Sequence, residues 1–342
     1  MKNKYSFNEI SNTRGIILGF ATMIIVLFHS QELYIEKIFH IDVIQNILYF
    51  IKNIGNVGVD IFLVLSGVGL YYSFSNNSNL KSFYKKRFVR IVPAVFIVAT
   101  IITALKNETG IGNFLERIFL FSLFTKKDYS FWYFTLIMIL YIVYPLLHKL
   151  IEKFDYKSTI LLVVIALLGN HLLRIYNTEL YKIIEIATTR IPVFIIGIWI
   201  GKKSKEGFEI SKLWMILFIT VYIVILGLLY NKVFNKYYFI VRYLYCPLAL
   251  TTVILLSYVC SKKKNKGIIT NFLIWVGSYS METYLLYEYL VKKCKNIFVY
   301  SDIYNISYHL CIFIITMILA NLLKRFCDEI NDKVFMSEIK NR

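Results

Sequence analysis

His29, in the run IIVLFHS, and Asp60, in GNVGVDIFLVLSG, are ionisable groups set into otherwise apolar stretches. Such groups are costly in hydrocarbon and are functional candidates for that reason. A carboxylate beside an imidazole fixes its tautomer and stabilises the imidazolium, which leaves the second ring nitrogen as a general base towards a hydroxyl. The plainer reading puts His29 in the interfacial belt and makes Asp60 a helix-opening cap. In Lys85-Lys86-Arg87-Phe88-Val89-Arg90-Ile91-Val92-Pro93, Arg87 and Arg90 stand three apart on one helical face. Guanidinium forks suit phosphate oxygens, and the same residues also serve as a basic stop at a cytoplasmic helix end.

Phe131-Trp132-Tyr133-Phe134 is an aromatic girdle of the kind found at membrane surfaces, and Trp132 and Tyr133 are also side chains on which sugar rings stack. In GSYSMETYLLYEY, Ser280, Tyr284 and Tyr287 recur at helical spacing, and Glu282 and Glu288 are two acids in one apolar segment that demand partners or a watery cavity. His40, His148, His171 and His309 have no metal-ligand spacing, and the five cysteines form no CxxC pair, so they read as packing or loop residues and no metal is expected. The glycines of GNVGVD follow no strand and read as a loop, not a dinucleotide fingerprint.

These residues need a membrane scaffold. The 342 residues are 58% hydrophobic, 17% aromatic and only 18% charged, which excludes a disordered chain, a disulfide-stapled secreted domain and an ordinary cytosolic enzyme. Apolar runs predict an all-α polytopic protein, a single domain over residues 1–342, with about ten spans: 15–33, 57–75, 88–105, 131–149, 158–174, 183–201, 212–230, 240–260, 271–291 and 306–325. The stretch 114–124, interrupted by Glu116 and Arg117, is too short and reads as interfacial or re-entrant. The first run lacks a cleavage site and is too long for a signal peptide. Most of the 39 Lys and Arg fall in alternate gaps and at the termini, so both termini are expected in the cytoplasm of a bacterial plasma membrane. The net charge of +18 is then mostly topology and attraction to lipid headgroups, and nucleic acid is an unnecessary partner. No internal repeat of the kind transporters carry is visible, although a carrier of a lipid-linked sugar or an acyl group would use the same intramembrane charges.

In order along the chain, GFATMIIVLFHS, GNVGVDIFLVLSG, FYKKRFVRIVP, FWYFTLIMILYIVYPLL and GSYSMETYLLY resemble the motifs of the bacterial integral-membrane acyltransferases called acyltransferase type 3. The resemblance implies a donor of cytoplasmic acyl-CoA, with acetyl-CoA foremost, as a co-substrate and no permanently bound cofactor. It implies transfer to a hydroxyl of a cell-surface or lipid-linked glycan. The implied catalytic histidine falls on His29, with Asp60 assisting, and the implied donor-binding arginines on Arg87 and Arg90. Two positions depart from the family pattern. Leu18 stands where an arginine eleven residues before the histidine is usual, with Arg14 one turn earlier and about 22 Å of helix from His29. Tyr287 stands where the late motif commonly ends in histidine, and tyrosine is a poor base near neutral pH. Such changes fit an altered site or a catalytically inactive relative.

Overall fold

The structure is a computed structural model that describes residues 4–30, 42–105, 110–119, 121–234, 237–262, 267–294 and 302–340. The described chain is almost entirely helical, as expected, with two short strands, β1 (Lys4–Ser6) and β2 (Glu209–Ser211), that pair antiparallel with Tyr5 opposite Ile210. Two compact units result. The first draws its described residues from 4–30, 42–77 and 146–278, the second from 78–145 and 279–340.

The first unit is built around α4 (Val57–Asn76), which is apolar on every side and therefore buried on nearly every side. The helix α10 (Ile191–Lys205) lies against it so closely that a Cβ added at Gly67 would come within 2.7 Å of the Gly197 carbonyl carbon. Only glycine permits that approach. The helix α2 (Arg14–His29) runs antiparallel along α4: an added Cβ at Gly58 would meet the Ala21 carbonyl oxygen at 2.7 Å, and one at Gly69 the Arg14 guanidinium at 3.5 Å. In the second unit, α5 (Leu80–Leu105), α14 (Ser280–Cys294) and α15 (Asp302–Lys340) pack together, beside the short helices α6 (Ile111–Ile118) and α7 (Ser122–Lys126).

Seven helical stretches among the described residues are long and apolar enough to cross a membrane: Val57–Asn76, Leu80–Leu105, Tyr129–Tyr176, Thr178–Lys205, Lys212–Tyr230, Phe239–Ser261 and Ser307–Lys333. The expectation of about ten is not confirmed, and two features bear on the count. The helix α2 has 16 residues, about 24 Å of rise against a hydrocarbon core of about 30 Å. The expected span 271–291 is broken at Ser278–Tyr279 into α13 (Ile268–Gly277) and α14. The expected spans 131–149 and 158–174 fall on the two helices that meet at a kink within α8 (Trp132–Tyr176), at Asp155, whose φ of 51° and ψ of −130° are non-helical. That strained residue is held by its own carboxylate, which accepts from Trp199 Nε1 at 3.0 Å and pairs with Lys203 Nζ at 3.0 Å. The 114–124 stretch forms α6 and α7, neither long enough to span.

Candidate functional site

His29 is the last residue of α2, half-buried, with its ring edge-on to Phe28 at 5.2 Å between centres. Asp60 lies one turn into α4 and is 2% exposed. The two were expected at one depth on neighbouring antiparallel helices. The helices do pack antiparallel, but their register sets Asp60 level with the middle of α2, about 10 Å along the axis from His29. The partner the structure gives Asp60 is Arg190, at the break between α9 (Thr178–Thr188) and α10: its Nε is 3.3 Å from Asp60 Oδ2, and its Nη2 donates to Asn56 Oδ1 at 2.8 Å. Arg242, in α12 (Tyr238–Ser261), adds its charge to the same carboxylate. Two arginines and one acid thus form a buried charge cluster one to two helical turns below His29. Beside the α3 (Asp42–Ile54) to α4 turn, burial pulls the Lys52 ammonium below the usual lysine range. At the opposite end of α2, Arg14 lays its guanidinium over Gly69, and Leu18 is half-buried one turn on.

In the second unit Arg87 and Arg90 do share one face of α5. Arg87 stacks on the Phe83 ring at 4.8 Å, and Arg90 Nη2 is 3.0 Å from Glu282 Oε1 with Nη1 3.5 Å from Asp328 Oδ1. Glu282 is completely buried, so the acid that had to find a partner in its span has found Arg90. Nearby, Asn321 donates to Tyr279 Oη at 2.9 Å, and Lys324 lies 5.0 Å over the Tyr279 ring.

Along α14 from that cluster, Tyr284, Glu288 and Lys292 recur every fourth residue, and with Tyr289, Asp128 and Ser130 they line a cavity of about 310 Å³. Tyr133 packs on Tyr284 at 5.1 Å between ring centres, next to a buried Trp132, so the aromatic girdle and the late tyrosine meet in space. Ser280 opens α14, and Tyr287 is 2% exposed on the buried side of the helix, so neither lines the cavity. Glu288 pairs with Lys292 at 2.5 Å. The buried Tyr289 Oη has no hydrogen-bond partner among the described residues. Behind the cavity, the fully buried Arg117 reaches Asp128 Oδ2 at 3.5 Å and donates to Thr103 Oγ1 at 3.0 Å.

The chemical inventory is therefore a histidine above a buried charge cluster in one unit, and in the other an arginine pair anchored by an acid together with a tyrosine- and carboxylate-lined cavity. Residues 17–325 match the family model of the acyltransferase domain, type 3. The chain belongs to this acyltransferase family. The family domain and the seven apolar helices together make it a membrane acyltransferase. No curated protein and no solved structure is significantly similar to the chain. Four residues of this acyltransferase escaped the sequence reading as site components: Arg190, Arg242, Arg117 and Tyr289. Of these, Arg117 stood out in the sequence only as a charge that interrupts the apolar stretch 114–124. That interruption was the available signal, because a charge kept inside an apolar run has to be neutralised by something.

Proposed function

We propose that the protein is a membrane O-acyltransferase that moves an acyl group, foremost acetyl, from cytoplasmic acyl-CoA to a hydroxyl of a cell-surface or lipid-linked glycan in a bacterial plasma membrane, with both termini cytoplasmic. The observation that carries this reading is the position of His29: a half-exposed imidazole at a helix end, inside a family domain that covers nearly the whole chain. In the reaction, a ring nitrogen of His29 takes the proton of the acceptor hydroxyl while the hydroxyl oxygen forms a bond to the thioester carbonyl carbon. Collapse of the tetrahedral intermediate breaks the carbon–sulfur bond, and the departing thiolate receives the proton from the imidazolium. Asp60 acts in this scheme as a positioning residue through Arg190, not by direct contact with the imidazole.

Arg87 and Arg90 are the proposed holders of the donor phosphates, with Arg14 as a further cation for the donor. Glu282 keeps Arg90 oriented, since a buried carboxylate at 3.0 Å fixes the plane of the fork. The proposed acceptor residue in the cavity wall is Tyr284, whose ring offers a face for a sugar, with Tyr133 and the buried Trp132 packed beside it and Ser280 and Tyr287 in the supporting helix. The cavity's carboxylates and its unpartnered Tyr289 hydroxyl supply the hydrogen bonds that a polyhydroxylated ligand requires. Mass spectrometry of surface glycans from cells with and without the gene tests the reading. An acetyl mass difference supports it, and identical glycans with an unmodified but relocated lipid-linked sugar indicate a carrier instead.

A further inference from the structure

The first unit contains a second cavity, of about 370 Å³, between α8, α9 and α12, and its walls are unlike those of the tyrosine cavity. A polar frame is built into it. Asn170 donates to Tyr243 Oη at 2.6 Å and accepts from Thr188 Oγ1 at 2.6 Å, so both ends of its amide are fixed. On the rim, the Arg174 guanidinium stacks on the Phe239 ring at 3.8 Å. Stacking occupies one face of the guanidinium and leaves the N–H groups, which lie in its plane, directed outward. Among the described residues no Asp or Glu forms an ion pair with Arg174. The cation is held in place and lines a cavity with no carboxylate at ion-pair distance, the nearest acid on that wall, Glu185, lying beside the Tyr181 hydroxyl.

The apolar walls indicate what answers the Arg174 charge. Leu168 lines the cavity and also belongs to a ridge with Leu161, Ile165 and Leu172, at 56, 59, 56 and 50% exposure respectively, spaced so that all four share one face of α8. In a membrane protein such a ridge lies against acyl chains. A ligand that satisfies both features has a compact anionic head with several acceptor oxygens and a long apolar tail. We propose that this cavity binds the phosphate of a membrane lipid, with the Arg174 fork on the phosphate oxygens, His171 at the rim, and the tail along the Leu161–Leu172 ridge. The same chemistry comes from two sources, a bulk anionic phospholipid or an isoprenoid phosphate that carries a glycan. The frame leads inward: Thr188 is two residues from Arg190, and Tyr243 adjoins Arg242, so the two elements that close the cavity also bring charge to Asp60. The site stands on its own geometry and does not depend on the acyl-transfer reading.

The test uses the full chain in a neutral detergent and measures binding of phosphatidylglycerol, of a long-chain polyprenyl monophosphate, of a diacylglycerol with matched chains, and of inorganic phosphate. Both phosphate lipids are expected to bind, diacylglycerol at least about tenfold more weakly, and Arg174→Gln to lose about tenfold for each phosphate lipid. The tighter of the two lipids identifies the source. Phe239→Leu, which removes the stacking platform and keeps the charge, is expected to lose affinity severalfold, and it carries the test if the arginine variant does not purify. Affinities within twofold of the parent in these variants overturn the proposal. So does diacylglycerol binding as tightly as the phosphate lipids, or inorganic phosphate competing as well as they do.

Discussion

Arg190 Nε lies 3.3 Å from Asp60 Oδ2, and each side chain is only 3% exposed. The break between α9 and α10 turns the start of α10 towards α4 at this level, so the charge of one broken helix neutralises the charge carried by a continuous one. Removing one partner leaves the other charged and buried, which costs about 3–5 kcal/mol where it has been measured in protein interiors. Arg190→Ala is therefore expected to lower the thermal midpoint of the purified protein by several degrees or to prevent its accumulation. The double change Asp60→Asn with Arg190→Gln is expected to recover much of that loss. A double variant whose loss equals the sum of the losses of the two single variants would show that the two residues act independently.

At the other charge cluster, Glu282 anchors Arg90 at 3.0 Å. Glu282→Gln is expected to raise the donor KM severalfold with little change in kcat, because it loosens the fork without removing it. Arg90→Lys and Arg87→Lys are expected to impair donor binding too, since lysine retains the charge but not the planar pair of donors. A purely topological role for these arginines requires the lysine variants to behave like the parent in an acetyl-CoA binding measurement.

Much of this arrangement was legible from residue types, and the rest depends on long-range pairing. The demand that Glu282 find a partner followed from two acids, Glu282 and Glu288, in one apolar segment, and the α2–α4 pairing followed from two neighbouring apolar runs of opposite direction. The identity of Asp60's partner did not, because Arg190 lies 130 positions away and no local spacing links the two. Apolar windows also count composition and not continuity. They therefore passed over the break at Ser278–Tyr279, between α13 and α14. Two apolar runs separated by Lys-rich sequence likewise do not disclose that the turn between their helices is a single kinked residue, Asp155.

Tyr289→Phe removes a hydroxyl of the tyrosine cavity that is buried without a hydrogen-bond partner among the described residues, and nothing else in that side chain. The variant is expected to be at least as stable as the parent, because a buried unsatisfied group is unfavourable. Its acceptor KM is expected to rise by about three- to tenfold, the size of one neutral hydrogen bond. Tyr284→Ala, which removes the ring packed on Tyr133, is expected to raise the acceptor KM further. Kinetics with purified glycan acceptor separate these effects from donor binding, and an unchanged acceptor KM in both variants would remove this cavity from the acceptor site.

The α4–α10 contact supports the first unit, and Gly67→Leu tests it. Any side chain at position 67 collides with the Gly197 backbone, which a helix cannot move aside. Loss of the folded protein, followed by size-exclusion chromatography in detergent, is the expected result, whereas Gly227→Leu, at a position with open space around it, is expected to be tolerated. Equal behaviour of the two variants would contradict this packing.

The central claim is that His29 is the base that activates the acceptor hydroxyl. The most direct measurement is mass spectrometry of surface glycans from cells that carry either the parent protein or His29→Ala, with membrane insertion matched by immunoblot. The account expects the acetyl-bearing glycan in the parent cells and a loss of about 10²-fold or more in the variant. Near-parental acetylation in cells with equal amounts of inserted His29→Ala protein would contradict it and return His29 to the interfacial packing of α2.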